Sequence, residues 1–244
     1  MKYPIEVNEK RTINRITLKQ SFLDLLNAFN VERGLIYTLK LLFVHPGKIV
    51  RLYLAEGRYK IVNAFRLLIL STALSVFVMY LSGVDDFLLE FEKGFNEGFR
   101  DTQQGDSEYI GGLMQKIYFD HYNLFLWIAI PIYGIFAYLI FKIKQYNYAE
   151  HLVIQSFYIC GLNVIAIVIF PLHHIMGQDP MFYSAFFLSL IYFFYYTIKV
   201  FETKKFGAIM KTVLLFFVSN FFYFLVLFFI LGIFVGYEIA AAKG

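Results

Sequence analysis

Long apolar runs, separated by short polar segments, dominate the chain. A helix rises about 1.5 Å per residue and bilayer hydrocarbon is about 30 Å thick, so a spanning helix needs roughly 20 mostly apolar residues. Five stretches meet this requirement, at residues 62–81, 122–141, 151–171, 181–200 and 212–236. The first sixteen residues lack the apolar core of a signal peptide, so we expect the first span to remain in the mature protein. The pattern predicts an all-α integral membrane protein with five transmembrane helices.

The region before the first span carries shorter apolar patterns at helical spacing. Thr17 and Gln20 have the spacing of a capping box, which marks a helix start. A second helix is expected to end before Pro46, which cannot continue it, and a third to cover residues 46–56. We therefore predict that residues 1–61 form cytoplasmic, interfacial amphipathic helices. The pattern leaves open whether they pack on the bundle or lie on lipid.

The membrane domain, predicted at residues 62–236, is interrupted by one external segment at residues 84–120, and residues 237–244 form an external tail. Phenylalanines recur there at every fourth position, which predicts an amphipathic helix: Phe87, Phe91, Phe95 and Phe99. This ridge is expected to lie on the outer leaflet or to cap the bundle. It is also the best external candidate for binding a partner protein or a second copy of the chain.

Composition narrows the class of protein. Apolar residues make up 59% of the chain and charged residues only 16%, whereas soluble domains average about 45–50% and about 25%. These values exclude a disordered chain and a soluble enzyme. The single cysteine, Cys160, excludes an intrachain disulfide and hence a disulfide scaffold.

The basic residues divide unequally between the two predicted sides of the membrane. The side that holds the N-terminus carries 18 of the 22 lysines and arginines, and its net charge is +11 against −7 on the other side. Because basic loops stay in the cytoplasm, this asymmetry predicts an N-terminus inside and a C-terminus outside.

Four basic residues close to the first span are candidates for binding an anionic lipid or another anion: Lys48, Arg51, Arg58 and Lys60. Each Lys or Arg near an anionic leaflet contributes about 1 kcal/mol to membrane binding. The simpler interpretation is that they set the topology and anchor the chain. Nucleic-acid binding is not expected, because the chain has no recognition motif and these residues adjoin a bilayer.

Polar residues within the spans are few. Asn163 and Asn220 lie near the middle of the third and fifth spans, where an amide is expected to join helices or to line a polar substrate site. Glu150 and His151 begin the third span. A glutamate there complements the helix dipole, and the histidine is a candidate proton acceptor, metal ligand or interfacial anchor.

On the external side, His121, His173 and His174 are weak candidates for metal ligands, because their spacing matches no metal motif. No cofactor is expected. Gly232 and Gly236 form a small-xxx-small pair near the outer end of the fifth span, which favours contact with another helix.

Two groups of residues resemble a known family. The first group is Gly34, Thr38, Leu42, Pro46, Gly47, Tyr53, Gly57-Arg58-Tyr59 and Phe65-Arg66, and the second is Pro131 with residues 148–153. Together they resemble a bacterial family of membrane proteins with no assigned activity, domain-of-unknown-function family three-six-six-seven, over residues 14–235. The resemblance implies a multi-pass protein of the bacterial inner membrane. The chain lacks the Cys-x-x-Cys zinc ribbon of many members, so zinc is not implied, and Ala64 stands where members commonly have proline.

Three functions are compatible with these patterns. We expect first a non-catalytic structural, assembly or regulatory component of a larger membrane complex, with lipids and other membrane proteins or a second copy as partners. The alternatives are a passive small-solute or lipid-related transporter that uses Asn163 and Asn220, and a membrane enzyme that uses Glu150 and His151 or the external histidines.

Overall fold

The computed structural model describes residues 34–56, 61–83, 113–114, 117–118, 121–142, 146–201 and 206–243. These residues are helical almost throughout, and no strand occurs among them. We number the helices α1 Ile36–Val44, α2 Pro46–Arg51, α3 Ala64–Leu81, α4 Tyr122–Ile140, α5 Tyr148–Ile169, α6 His173–Met176, α7 Gln178–Phe201 and α8 Phe206–Lys243. A π-helical turn, Leu52–Glu56, follows α2, and a 3₁₀ turn, Phe170–Leu172, joins α5 to α6. The predicted helix start at Thr17 and the external phenylalanine ridge lie outside the described residues.

Helices occupy all five of the stretches where spans are predicted. Four helices in the described part of the chain are long and apolar enough to cross a membrane: Ala64–Leu81, Tyr148–Met176, Tyr183–Phe201 and Ile209–Tyr237. The remaining stretch holds a shorter apolar helix, Leu124–Ile140 within α4. The prediction of an all-α fold typical of a membrane protein is therefore confirmed. By this criterion of length and composition, however, the spans number four where five are predicted.

Helix α5 is the centre of the bundle. It packs against α3, α4 and α7. Helix α8 lies at the periphery of the bundle and packs mainly against α4. In the most apolar stretch of α5, 56% of the residues are buried within the chain. In the corresponding stretch of α8, only 17% are buried. One side of α5 is joined to α3 by a polar contact, because the Asn163 amide donates hydrogen bonds to Ser71 (3.1 Å) and Thr72 (2.9 Å).

Gly161 allows α7 to pack closely on α5. A Cβ atom at this position would overlap the hydroxyl oxygen of Tyr192 and two adjoining carbons of its ring. The ring has little freedom to move away, because it stacks on Tyr158 with the ring centroids 5.9 Å apart and 8° between the planes. The distance between α5 and α7 therefore depends on a residue without a side chain.

Gly161→Ala tests this close packing. The added methyl group must displace the buried Tyr192 ring, so we expect a loss of about 1–3 kcal/mol in the free energy of unfolding. Thermal unfolding in detergent measures the effect. The matched control is Gly207→Ala, since a Cβ atom at Gly207 meets nothing within 4 Å. Equal stability of the two variants would contradict the packing described.

Candidate functional site

Residues 34–56 form a small helical unit, here called the headpiece, at one end of the bundle. Its helices α1 and α2 contact α5, and α2 also packs against the end of α7. The buried headpiece residues are Gly34, Thr38, Leu41, Leu42, Pro46, Gly47, Ile49, Val50 and Tyr53. The end of α1 before Pro46 is as predicted. The described helices thus pack on the bundle, which the sequence pattern left open.

Two tyrosines of α7 attach the headpiece by hydrogen bonds. The last carbonyls of a helix lack partners within the helix, and Pro46 has no N–H to offer them. The Tyr195 hydroxyl donates to the Val44 carbonyl at 2.9 Å, and the Tyr192 hydroxyl approaches the Leu42 carbonyl at 3.5 Å. These contacts give the last carbonyl groups of α1 hydrogen-bond partners and attach the end of α1 to α7. Neither tyrosine is among the candidate residues predicted from the sequence.

A second set of hydrogen bonds joins the headpiece to the start of α3. The buried Thr38 hydroxyl donates to the Gly34 carbonyl and accepts from the Val62 backbone N–H at 3.0 Å. The Asn63 side chain caps α3 through its oxygen and donates through its amide to the Tyr53 hydroxyl at 2.9 Å. The headpiece is therefore connected to both α3 and α7 by polar contacts.

Gly47 brings the headpiece into backbone contact with α7. A Cβ atom at Gly47 would collide with the Lys199 carbonyl oxygen, so only glycine fits at this distance. The Arg51 guanidinium lies beside the same point, with Nη1 3.7 Å from the position of that Cβ atom. The contact places the basic side of α2 next to the last turn of α7.

A pocket of about 330 Å³ lies at this contact and is lined by His45, Gly47, Lys48, Arg51 and Lys199. Lys48 and Arg51 are two of the four predicted anion-binding residues, and the structure brings them together. Arg58 and Lys60 lie outside the described residues. His45 and Lys199 are not among the predicted residues, and Lys199 could not be, since nothing in the sequence pairs α2 with a residue about 150 positions away.

Glu150 and His151 are neighbours in sequence but do not form a joint site. Glu150 closes a capping box at the start of α5: its carboxylate accepts from the Asn147 N–H at 2.8 Å, and its own N–H donates to Asn147 at 2.9 Å. This role agrees with the expected function of a glutamate in the first turn. The reciprocal contact with Asn147 was not predicted.

His151 lies fully buried in an aromatic cage at the same end of the bundle. Its ring stacks on Phe201 of α7 at 5.6 Å between centroids and meets the edges of Tyr138 and Tyr146 at 5.9 and 6.1 Å. Neither ring nitrogen has a hydrogen-bond partner among the described residues. The arrangement packs α5 against α7 and holds the imidazole away from Glu150.

The two asparagines of the spans make separate contacts. Asn163 bonds to α3 as described above, whereas the Asn220 amide donates to the Phe216 carbonyl of its own helix at 2.8 Å. Asn220 also interacts with the Tyr133 side chain of α4. Both residues therefore take part in contacts within the bundle, which favours the packing interpretation over a shared substrate site.

Of the three histidines predicted to lie on the external side, the structure describes the side chains of His121 and His174. His121 begins α4, where its Nδ1 atom lies 3.1 Å from the Ile117 carbonyl and its ring lies beside Phe234 of α8. His174 is exposed, and the side chain of His173 is not described. No group of three His, Cys, Asp or Glu side chains with the spacing of a metal site occurs among the residues that the structure describes.

Comparison with known families supports the predicted resemblance over one segment. Residues 32–76 match the family described as "Protein of unknown function (DUF3667)". The matched segment covers the headpiece and most of α3, and the second group of residues, at the start of α5, lies outside it. No curated protein and no solved structure gives a significant match to the chain.

His151→Leu tests whether the histidine serves only to fill its cage. Leucine has a similar volume and removes two buried nitrogens without partners, each of which costs about 1–3 kcal/mol when unsatisfied. We therefore expect an unchanged or higher midpoint of thermal unfolding, while His151→Ala, the control, leaves a cavity and lowers it. Strong destabilisation by His151→Leu would instead indicate that the imidazole nitrogens have a required polar partner.

Proposed function

We propose that this chain is a non-catalytic, multi-pass protein of the bacterial inner membrane that acts as a structural, assembly or regulatory component of a larger membrane complex. In this proposal the chain has five spans, with the N-terminus inside and the C-terminus outside. The headpiece then lies on the cytoplasmic side, and α8 carries the main contact with a partner. The four external phenylalanines at residues 87–99 form a second candidate contact.

The five-span topology is supported by helix length and by charge. Helix α4 has 19 residues, which corresponds to about 28 Å and nearly matches the hydrocarbon thickness. With α4 as a span, consecutive spans alternate in direction, and 18 of 22 basic residues fall on the side of the headpiece. The positive-inside rule then assigns that side to the cytoplasm.

The proposed role is supported mainly by the open face of α8. This 38-residue helix is the least buried of the four long apolar helices. Gly232 and Gly236 lie one turn apart on it, and a Cβ atom at either position meets nothing within 4 Å of the described chain. A pair of small residues lets a second helix approach closely in the membrane, where packing drives association. The pair therefore supports docking of α8 against a spanning helix of another protein or of a second copy.

The proposal is tested by gentle extraction of the tagged chain from its native membrane, followed by identification of bound proteins by mass spectrometry. We expect a stoichiometric partner, or a second copy revealed by the mass of the complex. In the double variant Gly232→Leu and Gly236→Leu, two leucine side chains on the open face keep the partner's helix from approaching α8 closely. We expect recovery of the partner to fall at least about tenfold, which is the effect of losing 1.4 kcal/mol of binding energy.

Gly207→Leu is the matched control, because it adds the same side chain to the same helix at another position without neighbours. It should leave recovery of the partner unchanged. Purification of the wild-type chain alone, or equal recovery with the double variant, would contradict the assignment of α8 as the docking helix.

A further inference from the structure

The pocket between α2 and α7 concentrates positive charge at a fixed place. Its lining contains the basic side chains Lys48, Arg51 and Lys199, together with His45. No acidic side chain is among the lining residues in the described part of the chain. The backbone holds these cations close together through the contact of Gly47 with Lys199 and the hydrogen bond from Tyr195 to Val44. Because like charges repel, the arrangement favours an anion in the pocket.

The donor set fits a phosphate group. The ammonium groups of Lys48 and Lys199 supply point charges and N–H donors that adapt to phosphate oxygens, and the Arg51 guanidinium lines the same pocket. A volume of about 330 Å³ exceeds that of a single phosphate and leaves room for the group to which it is esterified.

The surroundings indicate where such a phosphate comes from. Val44, next to the pocket residue His45, is 48% exposed, and Ile36, about two turns earlier on α1, is 77% exposed. An exposed apolar side chain beside a basic pocket, with a second one on the same helix, is suited to the boundary between lipid head groups and acyl chains. The charged pocket then lies at the level of the phosphates.

We propose that this pocket binds a phosphate group, carried by the head group of an anionic phospholipid. The inference rests on the membrane placement given under "Proposed function" but not on a protein partner. Its function is to recognise a lipid at the joint between the headpiece and the bundle.

The test measures lipid retention by the purified full-length chain. Native mass spectrometry in detergent counts bound phosphatidylglycerol, with phosphatidylcholine as the zwitterionic comparison and inorganic phosphate as a competitor. In the variant Lys48→Gln and Lys199→Gln, we expect retention of phosphatidylglycerol to fall about fivefold for each lysine removed. The variant Lys48→Arg and Lys199→Arg keeps the charge and should retain the lipid.

The matched control is Lys40→Gln with Lys142→Gln, which removes the same charge from two exposed positions outside the pocket. Thermal unfolding verifies that all variants fold. Loss of phosphatidylglycerol from the pocket variant alone supports the inference. Displacement of the lipid by millimolar inorganic phosphate further supports recognition of the phosphate itself. Equal loss in the control variant, or no loss in the pocket variant, would overturn the inference.

Pocket-dependent binding of inorganic phosphate without retention of phosphatidylglycerol would overturn the head-group assignment. Lipid retention through the pocket is also independent of the proposed role in a membrane complex. A chain that purifies without a protein partner but retains phosphatidylglycerol through the pocket would contradict that role and support the lipid site.

Discussion

The close packing of α7 is the constraint on which the other contacts depend. Two glycines allow it: Gly161 lies beneath the Tyr192 ring, and Gly47 meets the Lys199 backbone. Once α7 is held at these two points, its last three turns reach the headpiece, the basic pocket and the aromatic cage. Tyr192 and Tyr195 extend to the carbonyls of α1, Lys199 enters the basic pocket, and Phe201 covers His151. One helix thus connects the headpiece, the pocket and the aromatic cage.

The segment that matches the family of unknown function, residues 32–76, has a clear structural role in this chain. Thr38 connects α1 to the approach of α3, and Tyr53 contacts the Asn63 cap. Gly47 sets the distance to α7. These side chains and backbone positions form the joint between the headpiece and the membrane helices. The matched segment therefore contains the residues that attach the headpiece to the bundle.

Much of the fold could be predicted from the sequence, because long apolar runs and a proline that cannot continue a helix act locally. The positions of the helices and the end of α1 before Pro46 follow from such features. The contacts of α7 could not be predicted, since a continuous aromatic run such as residues 192–196 has no periodicity to separate hydrogen-bonding tyrosines from packing phenylalanines. The separate roles of Glu150 and His151 could not be predicted from their adjacency in the sequence. Successive side chains point about 100° apart around a helix, so the two residues face different surroundings.

In this structure α7 holds the headpiece on the bundle. Hydrogen–deuterium exchange of the chain in lipid nanodiscs, compared between wild type and the variant Tyr192→Phe with Tyr195→Phe, tests it most directly. Removing two hydroxyls that bond the end of α1 costs about 1 kcal/mol each. Exchange of the backbone amides of residues 36–54 should therefore rise at least about tenfold, while α3 and α5 keep their protection. Unchanged exchange in residues 36–54 would show that the two α7 hydroxyls do not hold the headpiece, and would contradict the account.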